Sequence, residues 1–170
     1  AFPVMQFGSR DDEAFELISK ILQFLVQEIL RRQNKDWNKG VYHPSVELYR
    51  SSLHGILSIE FATPTQESAE ECEGKIIKIC KTLRDEWVKD DELWAMQTHL
   101  HDAYVWAFRD GSTDLSERII EAATNNDEEL RQLTTYLGRL RRVGKKSIQR
   151  VANEYLTPER YLRVIIRPSS

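Results

Sequence analysis

At 170 residues the chain has the length of one domain, since domains run to about 100–200 residues and a chain of this size buries roughly two-thirds of its unfolded surface. With 41% hydrophobic and 30% charged residues, 7 glycines and 5 prolines, it is neither collagen-like nor low-complexity nor disordered. No run approaches the roughly 18 apolar residues needed to span a bilayer, and a formal net charge of -3 supplies no overall attraction to nucleic acid, so only a local patch remains to consider.

The chain opens on Ala1 with no basic-then-apolar leader and no targeting segment, which gives no compartment. It runs directly into the apolar stretch Phe2 to Phe7, a beginning expected of a piece of a larger protein. Val4 to Phe7 is a candidate strand. Ser9-Arg10-Asp11-Asp12 approximates a capping box, and Phe15, Ile18, Leu22, Leu25 and Ile29 recur at helical steps, predicting a helix from about Asp11 to Arg32. A polar stretch, Gln33 to Gly40, ends it. Val41 to Leu48 and Ile56 to Thr63 then read as a hairpin with one buried face. Tyr42, Val46 and Leu48 are expected on one side of the first strand, and Leu57, Ile59 and Phe61 on one side of the second. Pro44 marks the first strand as an edge or a bulge.

Thr63-Pro64-Thr65-Gln66 is a helix start, with Pro suited to the first helical position and Gln66 completing a capping box with Thr63. The helix it opens carries Ala69, Cys72, Ile76, Ile79, Leu83 and Trp87 on one stripe, and a break at Lys89-Asp90 separates it from a third helix that Asp110-Gly111-Ser112 stops. Shorter helices are predicted over about Asp114 to Thr124, Asp127 to Arg142 and Lys145 to Tyr155. Residues 112–156 thus form a helical subdomain. Tyr161 to Arg167 is a closing strand ending at Pro168. The predicted fold class is α+β: two layers, a mainly antiparallel sheet of about four strands covered by helices.

Side-chain chemistry is sparse. His99 and His101 point about 200° apart on a helix and cannot grip one metal, and no His-x-x-Glu-His is present, so zinc hydrolysis by this chain alone is not expected. Cys72 and Cys80 are about 12 Å apart along one helix, too far for a disulfide, and are expected to be reduced core residues. No Gly-x-Ser-x-Gly nucleophile and no phosphate-cradling glycine loop occurs. The basic cluster Arg139, Arg141, Arg142, Lys145, Lys146 and Arg150 is the one feature that raises nucleic acid, and its place near a helix C-terminus favours a solvated surface complementing the helix dipole.

Four segments resemble the C-terminal domain of the pitrilysin/insulinase family of zinc peptidases, which includes the mitochondrial processing peptidase. Leu30-Arg31-Arg32 with Gly40-Val41-Tyr42 resembles the family's Leu-Arg-Glu and Gly-x-x-Tyr pattern. Ile59 to Pro64 resembles its strand ending in Thr-x-Pro. Trp87 to Leu93 sits where a helix begins with Thr-x-x-Glu-Leu. Ile148 to Pro168, with Tyr155-Leu156-Thr157-Pro158-Glu159, resembles the closing helix, turn and strand.

The resemblance implies a non-metal-binding, non-catalytic C-terminal domain that binds extended peptide or unfolded protein and completes a catalytic chamber. It places no cofactor in this chain, with zinc in a companion domain or subunit. It implies substrate contacts from Arg31 and Tyr42, a guanidinium that grips carbonyl or acidic groups and a phenol that donates to a carbonyl. Arg32 competes with Arg31 because of the polar insertion after it. The alternative is a catalytically inactive relative serving as a scaffold or assembly subunit.

Overall fold

The structure, a computed structural model, describes residues 1–4, 11–33, 42–50, 55–86, 88–110 and 127–166. The described elements are β1 (Phe2–Val4), α1 (Asp12–Gln33), β2 (Tyr42–Arg50), β3 (Gly55–Ala62), α2 (Gln66–Asp85), α3 (Asp90–Arg109), α4 (Asp127–Leu140) and α5 (Lys145–Tyr155), followed by a 3-10 turn, Pro158–Arg160. The class is α+β, as the sequence predicts. The expected helix at 114–124, the cap at Ser9 and the turn at 51–54 lie outside the described residues.

α1 is the centre of the molecule. Its side chains Phe15, Leu17, Ile18, Leu22 and Val26 are all fully buried, a burial worth about 1.5–3 kcal/mol each. The helix packs on β2 and on each of α2 to α5. The sheet supplies one wall of that core, because Val46 pairs with Ile59 and Leu48 with Leu57, and all four belong to the core or pack against it. Against α1 and α2 lies α5, whose Ile148, Val151 and Ala152 are buried. Its Gln149 and Asn153 amides each donate to the Arg84 carbonyl at 3.0 Å, satisfying an acceptor that the end of α2 leaves open.

Three features depart from the sequence reading. The sheet has three antiparallel strands in the order β1-β3-β2, not about four. The closing segment is extended at Tyr161 but joins only by one rung, Ala1 N to Leu162 O and Leu162 N to Ala1 O, both at 2.8 Å. Among the described residues nothing pairs with 163–166 as a strand, and β-branched composition alone makes no strand. The segment is anchored by side chains instead: Tyr161 donates to Glu73 at 3.2 Å, and Arg163 pairs with the same carboxylate at 3.3 Å.

The second departure is the start of α2. Thr65, not Thr63, is the N-cap, its hydroxyl accepting from the Ser68 amide at 3.2 Å, so Pro64 precedes the cap. The third is a register shift in β2 between Tyr42 and Ser45. Tyr42 pairs with Ala62 and Ser45 with Glu60, so three residues of β2 run beside two of β3. Pro44 has no amide to give to the ladder, and a bulge there adds one residue and reverses the alternation before it.

Candidate functional site

Arg31 stands in the last turn of α1 and Tyr42 opens β2, the strand that packs on α1. Their side chains and the insertion at 34–41 lie outside the described residues. The backbone therefore fixes the two positions on adjoining elements and leaves their contact undetermined.

The surroundings of the Tyr42 position are better defined. Because cross-strand partners share a face, the side of the sheet away from α1 carries Ser45, Glu47 and Tyr49 on β2, and Ile56, Ser58 and Glu60 on β3. Tyr49 is 56% and Ile56 43% exposed, and both glutamates are exposed, so none of the described helices covers this face. The Tyr49 hydroxyl donates to the Glu47 carboxylate, and that bond pushes the phenol above its ordinary range. Ser58 is the exception to the exposure: it is 8% exposed, and its hydroxyl has no hydrogen-bond partner. The alternation of Ile56 to Phe61 makes Ser58 and Glu60 the polar side of β3. What the sequence reading missed is the register shift in β2 between Tyr42 and Ser45.

A second concavity, a shallow groove of 280 Å³, lies between α1 and α3 and is lined by Lys20, Gln23, Phe24, Gln27, Met96 and His99. The four α1 residues repeat at helical spacing, and Arg31 follows Gln27 one turn later.

Among the described residues no three His, Cys, Asp or Glu side chains come together in a way that fits a metal ion. His101 accepts from Arg141 through Nε2 and gives its Nδ1 proton to Asp102, each at 3.1 Å. Cys72 and Cys80 are free and buried.

Three of the six cations in the basic cluster have carboxylate partners. Arg139 donates to the buried Glu13 at 2.6 Å, Lys145 pairs with Asp90 at 2.8 Å, and Arg150 forks onto Asp11. Half of its cations tie α4 and α5 to α1 and α3, which leaves little free charge to neutralise phosphates. Among the described residues no helix is long and apolar enough to cross a membrane.

The fold is that of the domains of zinc proteases of the insulinase type. A protease from Helicobacter pylori matches with a TM-score of 0.76 at 18% identity over 94% of this chain and 38% of its own. The inactive peptidase domain of a protein from Bordetella parapertussis assigned as a zinc protease matches with a TM-score of 0.63 at 16% identity over 99% of this chain and 91% of its own. The periplasmic protease PqqL from Escherichia coli matches with a TM-score of 0.65 at 15% identity over 89% of this chain. The chain thus spans 38% of the first of these proteins and 16% of PqqL. No family model and no curated protein sequence matches it.

Proposed function

We propose that the chain is the non-metal-binding C-terminal domain of a pitrilysin/insulinase-type zinc endopeptidase, 1–170 being one such domain of a larger chain. In this reading the domain binds extended peptide and closes a catalytic chamber whose zinc sits in a companion domain or subunit. One observation carries the reading: the chain matches an inactive peptidase domain over 99% of its length, while no described donor set fits a metal. Zinc would polarise the scissile carbonyl and activate water in the companion. This chain's share is positional. Arg31 holds a peptide carbonyl or acidic side chain, Tyr42 donates to a carbonyl, and the peptide lies extended where α1 ends and β2 begins.

Calorimetric titration of the whole chain with an unstructured decapeptide tests this. Tyr42→Phe loses one hydrogen bond and is expected to weaken binding about fivefold, a net bond being worth about 1 kcal/mol. Arg31→Ala removes a charge-assisted contact and is expected to cost tenfold or more, from about 1.5–3 kcal/mol. Unchanged affinity in both variants removes the site assignment.

The inactive neighbour also supports a second reading, a scaffold or assembly subunit of a protease that has lost its chemistry. Sequencing the flanking region separates the two. A His-x-x-Glu-His motif upstream or in an adjacent gene supports the peptidase, and its absence leaves the scaffold.

A further inference from the structure

α3 carries apolar side chains on every side, although only one side belongs to the core. Leu93 and Leu100 are buried, and Gln97 and Tyr104 face the end of α4 through the Leu140 and Val143 carbonyls and the Tyr136 ring. Met96 and His99 line the groove beside α1. The outer side leaves Trp94 68%, Val105 43% and Trp106 56% exposed. A helix that is apolar all round belongs in an interior, and exposed apolar residues are ordinary singly but not three to one helix.

The outer side also has a pattern that complements itself when reversed. Asp91 and Arg109 are about five full turns apart and so share one line along the helix. Trp94 and Val105, about three turns apart, lie on one side of that line, and Ala95 and Trp106, spaced alike, on the other. Each of these pairs is centred at the level of Leu100. A second α3 laid antiparallel about a dyad at that level sets Asp91 against Arg109 of the other copy, Trp94 against its Val105, and Trp106 over its Ala95, where a small side chain leaves room for the indole. Every contact occurs twice. Asp102 falls beside the dyad, where it takes the Nδ1 proton of its own His101 at 3.1 Å and meets His99 of the other copy.

We propose that the outer face of α3 is a self-association surface, through which two copies of this chain pair as an antiparallel, two-fold symmetric dimer. Charge complementarity selects a second copy as the occupant. The face is acidic at its first turn and basic at Arg109 in its last, and the same face running the other way supplies the opposite sign at each end, helix dipoles included. Arg109 already lies over the Trp106 ring, 5.5 Å from its centroid, which holds the guanidinium at the edge of the apolar contact. The indoles of Trp94 and Trp106 from both copies supply most of the apolar area, at about 150–250 Å² for each one fully buried. That places the interface at the low end of specific ones, and the dimer in the micromolar range. The inference does not depend on the peptide-binding reading.

Sedimentation velocity of the whole chain from about 1 to 200 µM tests this, with monomer expected at the lowest concentration and mostly dimer at the highest. Asp91→Arg sets arginine against arginine at both ends of the dimer, and Arg109→Asp sets aspartate against aspartate. Either alone is expected to weaken dimerisation tenfold or more at low salt. Mixed in equal amounts, the two variants regain both attractive contacts, and their heterodimer should form with an affinity within about threefold of the parent's. Trp94→Ala should weaken dimerisation tenfold or more and leave the circular dichroism unchanged, because the residue is exposed. A parent chain that stays monomeric at the highest concentration overturns the proposal, as does a dimer indifferent to Asp91→Arg or a mixture of the two variants that fails to associate. Should a charge variant lose its helical signal, Trp94→Ala decides instead: unchanged dimerisation overturns the surface.

Discussion

Burial pushes the Cys80 thiol up to about 11, against the smaller opposing pull of Arg84, and raises Cys72 as well. Neither sulfur is therefore a nucleophile at neutral pH. The shift is also a statement about stability. Cys80 is protonated in both folded and unfolded chains below about pH 9, so its contribution is complete there. From pH 9 to 11 the unfolded thiol ionises while the folded one does not, and about 2–3 kcal/mol of stability is lost across that window. Urea unfolding at pH 8, 9, 10 and 11 should show a loss in the parent chain that is largely absent in Cys80→Ala, and Ellman's reagent should reach Cys80 only on unfolding. Parallel pH curves for the two proteins would contradict this. Here the residue chemistry was legible in the sequence, since the spacing of Cys72 and Cys80 along one apolar stripe already made them inward-facing and unable to pair.

At the scale of elements, what holds the helices is less legible. The sequence places Arg139, Lys145 and Arg150 near helix ends, where a dipole explains them; the structure spends them on Glu13, Asp90 and Asp11, up to 139 residues away. Pairings so distant have no local signature. The Arg139–Glu13 bond joins α4 to α1, and the Glu13 side chain is 6% exposed. Arg139→Ala strands that carboxylate and is expected to cost about 2–4 kcal/mol, below the full value for a buried pair because Arg139 is itself about one-third exposed. Lys75→Ala, which breaks the exposed pair with Glu71, should cost under about 1 kcal/mol. Equal shifts in urea midpoint would refute the difference. The elements themselves followed local signals where those were complete: α5 runs from Lys145 to Tyr155 as its periodicity predicts. They departed where a partner decided the outcome. The closing segment has the composition of a strand but one rung of pairing among the described residues, and the register of β2 shifts where Pro44 interrupts the ladder.

At the scale of the whole molecule, a largely buried helix packs between a three-stranded sheet and four other described helices, and none of these helices covers the far face of the sheet. That arrangement, with the match to protease domains over nearly all of the chain, is where sequence motifs and fold agree. The Tyr155-to-Glu159 segment shows why the resemblance was readable: Tyr155 packs edge-on against Phe15 at 5.1 Å, and the turn after Leu156 begins with Pro158. These residues build the fold. The candidate site was less readable, because Arg31 and Tyr42 are separate polar positions in the sequence and only the packing of β2 on α1 puts their elements side by side.

The central claim is that this chain binds peptide without doing the metal chemistry. The most direct measurement dialyses the whole chain against zinc, determines bound metal per chain, and titrates it with the unstructured decapeptide while following peptide integrity by mass spectrometry. The account predicts saturable binding of an uncut peptide with well under one zinc per chain. One zinc per chain accompanied by cleavage, or no binding at all, would contradict it.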